Sequence, residues 1–236
     1  MKKKKTKFII FGQGRSGSNL LVDLLNSHPD VYCDRELLNK NRLRRKYKFI
    51  KPLIYAFPYK YITCHLHKHP EKTYGFKLMY HQIRKCHGFL TKLSDDYWKI
   101  IHIQRKDTLK QAFSGIIARK RGSYVRKAGA EFDRAKIYIN PQEVVKSLKS
   151  RIRALKYELE ALQGLEYLDV VYENDLAESN LWSKSTERIF NFLDVDTVEV
   201  RTSMLRTDER PYEERISNYQ EILAYLKNNG FSKFVE

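Results

Sequence analysis

The chain has 236 residues, of which 42% are hydrophobic, 13% aromatic and 31% charged, a balance that fits a folded globular chain and excludes a disordered or fibrous one. Its formal charge of +17 is concentrated in residues 1–127, which hold 30 basic and 8 acidic side chains against 15 and 20 in the remainder. That half presents a field for an anionic partner: nucleic acid, phosphorylated nucleotide, acidic glycan or membrane surface.

Residues 7–12 (KFIIFG) are an apolar run closed by glycine, the pattern of a buried strand. Ser16 or Ser18 then caps a helix with Leu20, Leu21, Leu24 and Leu25 at helical spacing, ended by Ser27-His28-Pro29-Asp30. Residues 31–33 are strand-like, and Glu36 falls at the start of a further helix. Thr73–Met79 and Trp98–Gln104 read as strands, the second followed by a helix over 107–121. The clearest helix is 141–163, with Pro141 in its first turn. Val145, Leu148, Ile152, Leu155, Leu159 and Leu162 follow at alternating spacings of three and four. Too short for a coiled coil, this seam is expected to face the chain's own core. A strand at 166–171 and helices at 182–193 and 212–228 complete the chain, with Gly230 as the final helix stop. Strands separated by helices imply crossover connections, hence an α/β fold with a mostly parallel central sheet flanked by helices. No repeat or linker divides the chain, so one domain is expected over 1–236, with residues 1–6 as a basic tail.

Three cysteines, Cys33, Cys64 and Cys86, make no disulfide framework, and free thiols point to a reducing compartment. No run approaches the ~18 apolar residues of a membrane span, and the apolar run after the lysines is too short for a signal peptide. A cytoplasmic protein is the expectation.

Residues 7–21 (KFIIFGQGRSGSNLL) read as strand, glycine-rich turn and helix. Gly12, Gly14 and Gly17 let the backbone turn tightly and approach a ligand. The helix N-terminus directs N–H groups and partial positive charge at the turn, which suits phosphate or sulfate oxygens. Ser16, Ser18 and Asn19 add side-chain donors, and Arg15 adds a forked permanent cation. Against the nucleotide-hydrolase pattern G-x-x-x-x-G-K-[ST], Ser18 stands in place of the lysine and Asn19 in place of the magnesium-binding hydroxyl, which disfavours a kinase. A purely structural glycine turn is the plain alternative. The strand before it, Arg15 and the positive half weigh against that.

Other residues carry weaker signals. Cys64-His65-Leu66-His67-Lys68-His69 has alternating candidate ligands, but no second cluster completes a site and Pro70 suggests a loop, so no metal is expected. His102, within an apolar strand, reads as a satisfied core histidine. Tyr172 and Glu173 end a strand, where they order a site or make a structural hydrogen bond. By residue type, Glu36 is a helix N-terminal carboxylate, whose loss costs only about 0.3–1 kcal/mol. By the same criterion Arg105 pairs with Asp107.

The segment GRSGSNLLVDLLNSHPDV resembles the 5′-phosphosulfate loop of sulfotransferases that use 3′-phosphoadenylyl sulfate, and is similar to that of bacterial carbohydrate sulfotransferases of the trehalose and nodulation-factor type. Four further segments match in order: CDRELLN around Glu36, YGFKLMYHQI, IIHIQRKDTLKQAFSGIIARKRGSY, and VVYENDL. The tail PYEERISNYQEILAYLKNNGFSKF resembles the closing helix of the same group. The resemblance implies a sulfuryl donor, 3′-phosphoadenylyl sulfate, with no metal required, and a hydroxyl acceptor on a glycan or glycolipid. It assigns Gly14, Arg15, Ser16, Gly17, Ser18 and Asn19 to the donor's 5′ end, Arg15 also clamping the leaving phosphate. Arg105 or the adjacent Lys106, with Ser114, is assigned to the 3′-phosphate, and Glu36 is the catalytic base. Residues 40–51 are more basic than in the family, and Tyr124 stands where relatives often carry tryptophan. Residues 36–51, 64–72 and 119–127 are expected to form the acceptor surface. A homodimer is compatible with this reading. The competing reading is a nucleic-acid binder, on the charge and on Tyr47 and Phe49 interleaved with the basic run.

Overall fold

The computed structural model describes residues 5–122, 126–127, 134–202, 204–205, 208 and 210–235. Most of the basic tail, Tyr124 and part of the 119–127 segment therefore lie outside the described residues. In chain order the elements begin with β1 (Thr6–Gly12), α1 (Ser18–Leu25), β2 (Val31–Glu36), α2 (Lys40–Lys46), α3 (Lys51–Ala56) and α4 (Pro58–Leu66). There follow β3 (Thr73–Met79), α5 (Cys86–Asp95), β4 (Trp98–Gln104), α6 (Thr108–Lys120), β5 (Arg126–Lys127) and α7 (Pro141–Leu162). The chain closes with β6 (Tyr167–Val171), α8 (Trp182–Phe192), β7 (Met204–Leu205), α9 (Tyr212–Arg215) and α10 (Tyr219–Asn228). Two compact units result: residues 1–104 with 157–202, and residues 105–156 with 203–236. Among the described residues no helix is long and apolar enough to cross a membrane.

The first unit is built on a five-stranded sheet of order β2-β3-β1-β4-β6, with every neighbouring pair parallel. A parallel strand buried on both faces reads as a continuous apolar run, and Phe8, Ile9, Ile10 and Phe11 of β1 are all fully buried. Successive side chains point to opposite faces. Ile9, Phe11, Phe76, Leu78 and Ile100 therefore share one core with Leu43, Ile54, Ile62, Leu90 and Leu162 from the helices on that side. Phe8, Ile10, Ile101, Ile103 and Val170 share the other with Leu21 and Leu24 of α1 and Ile189 and Phe190 of α8. The expected α/β class, with helices on both faces of a parallel sheet, holds.

The second unit packs Phe113 and Ile116 of α6 against Val144, Leu148, Ile216, Ile222 and Leu226, with a short antiparallel pair formed by β5 and β7. Asp107 caps α6 through its side chain, which accepts from the Lys110 amide at 2.8 Å, and pairs with the Lys110 ammonium at the same distance.

Four expectations need correcting. The closing helix is two helices, because Ile216 leaves helical geometry to bridge Ile137, and Asn218 bonds both backbone groups of Ile139. On α7, Ile152 and Leu159 are 42% and 46% exposed, while Val144 and Glu158 are buried. The core-facing stripe is offset from the apolar seam because it includes a charged residue that apolar spacing cannot reveal. Residues 64–66 belong to helix α4 rather than to a loop. Helix α1 has Gly17 as its cap with no side-chain cap bond; the Ser16 hydroxyl turns back to the Gln13 carbonyl at 2.7 Å instead.

Gly75 of β3 lies directly opposite Phe8 in register, and a Cβ there would enter the Phe8 ring. We expect Gly75→Ala to lower unfolding free energy by about 1–3 kcal/mol through overpacking, read as a shifted urea midpoint with an unchanged slope.

Candidate active site

The turn between β1 and α1 is shaped by sterics. Arg15 and Gly17 both adopt positive φ, 68° and 86°. A Cβ on Gly17 would stand 2.6 Å from the Tyr172 ring and 3.2 Å from Leu176, so only glycine fits. Successive turn residues of this kind aim their amides into one concavity, and the N-terminus of α1 opens onto it. Ser16 and Ser18 are buried, Gly14 is exposed, and Arg15 and Asn19 are half-buried. A network braces the first turn residue. Ser16 holds the Gln13 carbonyl, and the Gln13 side chain bonds Glu158. Glu158 meets His102 Nε2 at 3.4 Å, and His102 Nδ1 meets Asp169 at 2.9 Å. Burial pushes the Glu158 carboxyl above its ordinary range, partly offset by His102 and Gln13. His102 is thus a satisfied core histidine, with a carboxylate at each ring nitrogen.

Glu36 is not at a helix start. It is the last residue of β2, and α2 begins four residues later with Asn39 as its cap. The placement comes from a β-bulge: Asp34 pairs with Phe76 of β3 and Glu36 with Lys77, so Arg35 is skipped. Without that extra residue Arg35 would stand opposite Lys77, cation against cation. With it, Glu36 Oε1 lies 3.1 Å from the Lys77 ammonium. Its Oε2 accepts from Asn39 at 2.8 Å and from Gln82 at 3.0 Å. Lys77 Nζ also donates to Asn19 Oδ1 at 2.6 Å, in the first turn of α1.

Lys77 is only 4% exposed, in a strand whose every residue is buried. Burial pulls its pKa below the ordinary lysine value, partly countered by Glu36. Burial pushes Glu36 up, but the Lys77 charge, the Asn39 and Lys77 hydrogen bonds and the His81 imidazole together outweigh it and hold Glu36 below 4.5. Glu36 is therefore a carboxylate at neutral pH. The structure brings together Glu36, Lys77 and Asn19. Lys77, Gln82 and Asn39 were missed as site residues in the sequence, although a lone lysine in an apolar strand was a readable signal.

Arg105 follows β4 directly, Lys106 is exposed beside it, and Ser114 lies on α6, half-buried. All three belong to the second unit. Strand β6 ends at Val171, and Tyr172 and Glu173 open a π-helical turn over Tyr172–Leu176, a distortion often found at functional sites. There Asp175 is a structural anchor, accepting from the Val171 amide and the Ser185 hydroxyl and pairing with Arg188.

Among the described residues one group has metal-ligand chemistry: Asp34, His65 and His69, with ligand atoms within 4.8 Å of one another. Its carboxylate is already engaged. Tyr74 donates to Oδ2 at 3.0 Å and Arg42 lies 3.8 Å from Oδ1. His69 stacks on both Tyr32 and Tyr74, at ring distances of 4.1 and 5.0 Å. The cluster ties the end of α4 to β2. Tyr47, one of the two rings in the nucleic-acid reading, is half-buried and packs edge-on against Tyr61 at 5.9 Å.

No protein-family model matches the chain, and no curated protein does. Solved structures do. The sulfotransferase domain of the Synechococcus PCC 7002 olefin synthase matches at a TM-score of 0.52 with 16% identity, over 94% of this chain and 85% of that one. The sulfotransferase domain of the curacin biosynthetic pathway matches at 0.52 with 14% identity, over 93% and 87%. Mouse sulfotransferase SULT7A1, complexed with PAP, matches at 0.50 with 12% identity, over 97% and 82%. The fold of this chain is the sulfotransferase fold.

The pairing of Glu36 with Lys77 alters the stability expected of a Glu36 variant. Glu36→Gln leaves a buried ammonium without its counter-ion and should cost about 1–3 kcal/mol, more than loss of a helix-dipole contact. Adding Lys77→Met should recover much of that loss, and a double-mutant cycle by urea unfolding measures the coupling. Because the folded Glu36 pKa is depressed, its contribution is present above the unfolded carboxylate value and is lost as pH falls below about 4.5. The difference in stability between wild type and Glu36→Gln should shrink over that acid window.

Proposed function

We propose that the protein is a cytoplasmic sulfotransferase that moves a sulfuryl group from 3′-phosphoadenylyl sulfate to a hydroxyl of a carbohydrate or glycolipid. The observation that carries this reading is the shared cation: Lys77 pairs with the Glu36 carboxylate and bonds Asn19 in the first turn of the helix behind the phosphate loop. An anion-binding turn and a carboxylate base are thereby coupled through one ammonium. The sulfotransferase fold supports the class of chemistry, and the PAP bound to the mouse neighbour supports a nucleotide donor of that type. The three free cysteines suit a reducing compartment.

In the proposed reaction the acceptor oxygen bonds to sulfur as the bond from sulfur to the bridging phosphate oxygen breaks. Arg15 and the N–H groups at the start of α1 neutralise the charge growing on the leaving phosphate. Gly14, Ser16, Gly17 and Ser18 shape the turn, and Arg105 with Ser114, flanked by Lys106, holds the 3′-phosphate. This charge neutralisation asks for no metal ion. Glu36 takes the acceptor's proton. A carboxylate of depressed pKa is a weak base toward a free hydroxyl, so transfer occurs as the hydroxyl acidifies on bonding to sulfur. Lys77 holds the carboxylate ionised and oriented until then.

The direct test is donor-dependent transfer of labelled sulfate onto a panel of glycans and glycolipids, with the product identified by mass spectrometry. Glu36→Gln, assayed where it remains folded, should lose about 10²–10⁴ in turnover. The base is active when ionised, so the acid limb of kcat/KM should lie below the ordinary carboxylate range. Turnover by the Gln variant within a few-fold of wild type removes Glu36 from the mechanism. Separately, Arg105→Ala should weaken binding of adenosine 3′,5′-bisphosphate by about tenfold or more while sparing adenosine 5′-phosphate, as loss of a charge-assisted contact predicts. Equal losses for both ligands by calorimetry assign Arg105 a structural role.

A further inference from the structure

We infer that the α2–α3–α4 segment is a docking surface for an anionic lipid bilayer. The first observation is charge. Residues 37–70 contain nine Lys and Arg and not one Asp or Glu. Lys40, Arg44, Arg45, Lys48, Lys60 and Lys68 of this segment are exposed. A run of one sign over so many residues is a local field that a zwitterionic or anionic partner experiences very differently.

The second observation is apolar. Phe49 is 91% exposed, Leu53 60%, Phe57 51% and Ile50 49%. These are four of the eight exposed large hydrophobic residues among those described, and all lie within nine positions. Phe49, Leu53 and Phe57 recur every fourth residue, from the turn before α3 to the cap of α4, with exposed Pro52 and Ala56 between them. Helix α3 buries only Ile54. Lysine ammonium groups flank the rings: Lys48 lies 6.0 Å from the Phe49 centroid and Lys60 5.4 Å from that of Phe57. Apolar side chains bounded by cations on short helices match a membrane interface, where the apolar groups enter the acyl boundary and the ammonium groups stay at the headgroups.

Nucleic acid would answer the charge and would stack on Phe49 and Phe57, but it leaves the aliphatic residues between them unused. Bases stack on flat rings, whereas Ile50 and Leu53 are aliphatic and Tyr47 is packed against Tyr61. The surface also touches the candidate active site through the chain. Asn39, which caps α2, donates to the Glu36 carboxylate. Docking stands without the sulfotransferase reading; that a docked acceptor is itself an amphiphile rests on it.

The test is co-sedimentation of the full chain with vesicles of phosphatidylcholine and phosphatidylglycerol, and with vesicles of phosphatidylcholine alone. Binding is expected to the anionic vesicles, to weaken with added salt, and to be far weaker to the neutral ones. The double variant Phe49→Ser with Leu53→Ser should partition about tenfold or more less strongly. Arg44→Glu with Arg45→Glu should abolish the preference for anionic lipid. These side chains are exposed, so melting temperatures should match wild type, and a variant that fails that check is replaced by Phe57→Ser. Absence of binding by wild type overturns the proposal. So does equal binding by the serine variant, or binding to a single-stranded oligonucleotide that the serine variant retains in full. Sulfuryl transfer is measured separately with a soluble acceptor, so loss of docking with retained transfer, or the reverse, tells the two readings apart.

Discussion

A lysine buried in a parallel sheet is the constraint around which the candidate site is arranged. Parallel strands flanked by helices exclude water from both faces, and an ammonium there needs partners within hydrogen-bond reach. Lys77 has two, Glu36 and Asn19. One comes from the neighbouring strand and one from the helix after the glycine turn. The demand for a counter-ion accounts for the bulge in β2, which skips Arg35 and brings a carboxylate into register. It also accounts for the depressed pKa of Glu36, since the carboxylate is worth most to the fold when ionised.

The glycine turn is held at two points. Tyr172 packs so closely on Gly17 that no side chain fits, and Gln13 is linked through Glu158 and His102 to Asp169. Each of these polar groups is buried or half-buried, and each has a partner. Such a network favours a rigid turn, which is what the proposed donor-binding role would require. A preorganised set of donors stabilises charge that develops on a leaving group without first having to reorganise.

The same physics divides the surface of the first unit. Around the sheet, polar groups are matched and enclosed. Along α2, α3 and α4, residues 37–70 include nine cations and no acidic residue, and aromatic and aliphatic side chains face solvent. The proposed lipid partner is what would cover this contrast.

Much of this was legible in the amino-acid sequence. The run KFIIFG and the strands Thr73–Met79 and Trp98–Gln104 were readable because an enclosed strand is predominantly apolar, even where a polar residue such as Lys77 or His102 interrupts it. The glycine turn between β1 and α1 was readable from its glycines directly after a strand, and the order of resembling segments pointed to the fold that the solved structures share. What periodicity could not supply were contacts between residues far apart in the chain. The pairing of Glu36 with Lys77, the enclosure of Glu158 by His102 and Gln13, and the break at Ile216 each depend on a partner at least forty residues away. Local pattern reports which side chains avoid water. Only the tertiary structure decides which charge meets which, because register, bulge and crossover set those distances.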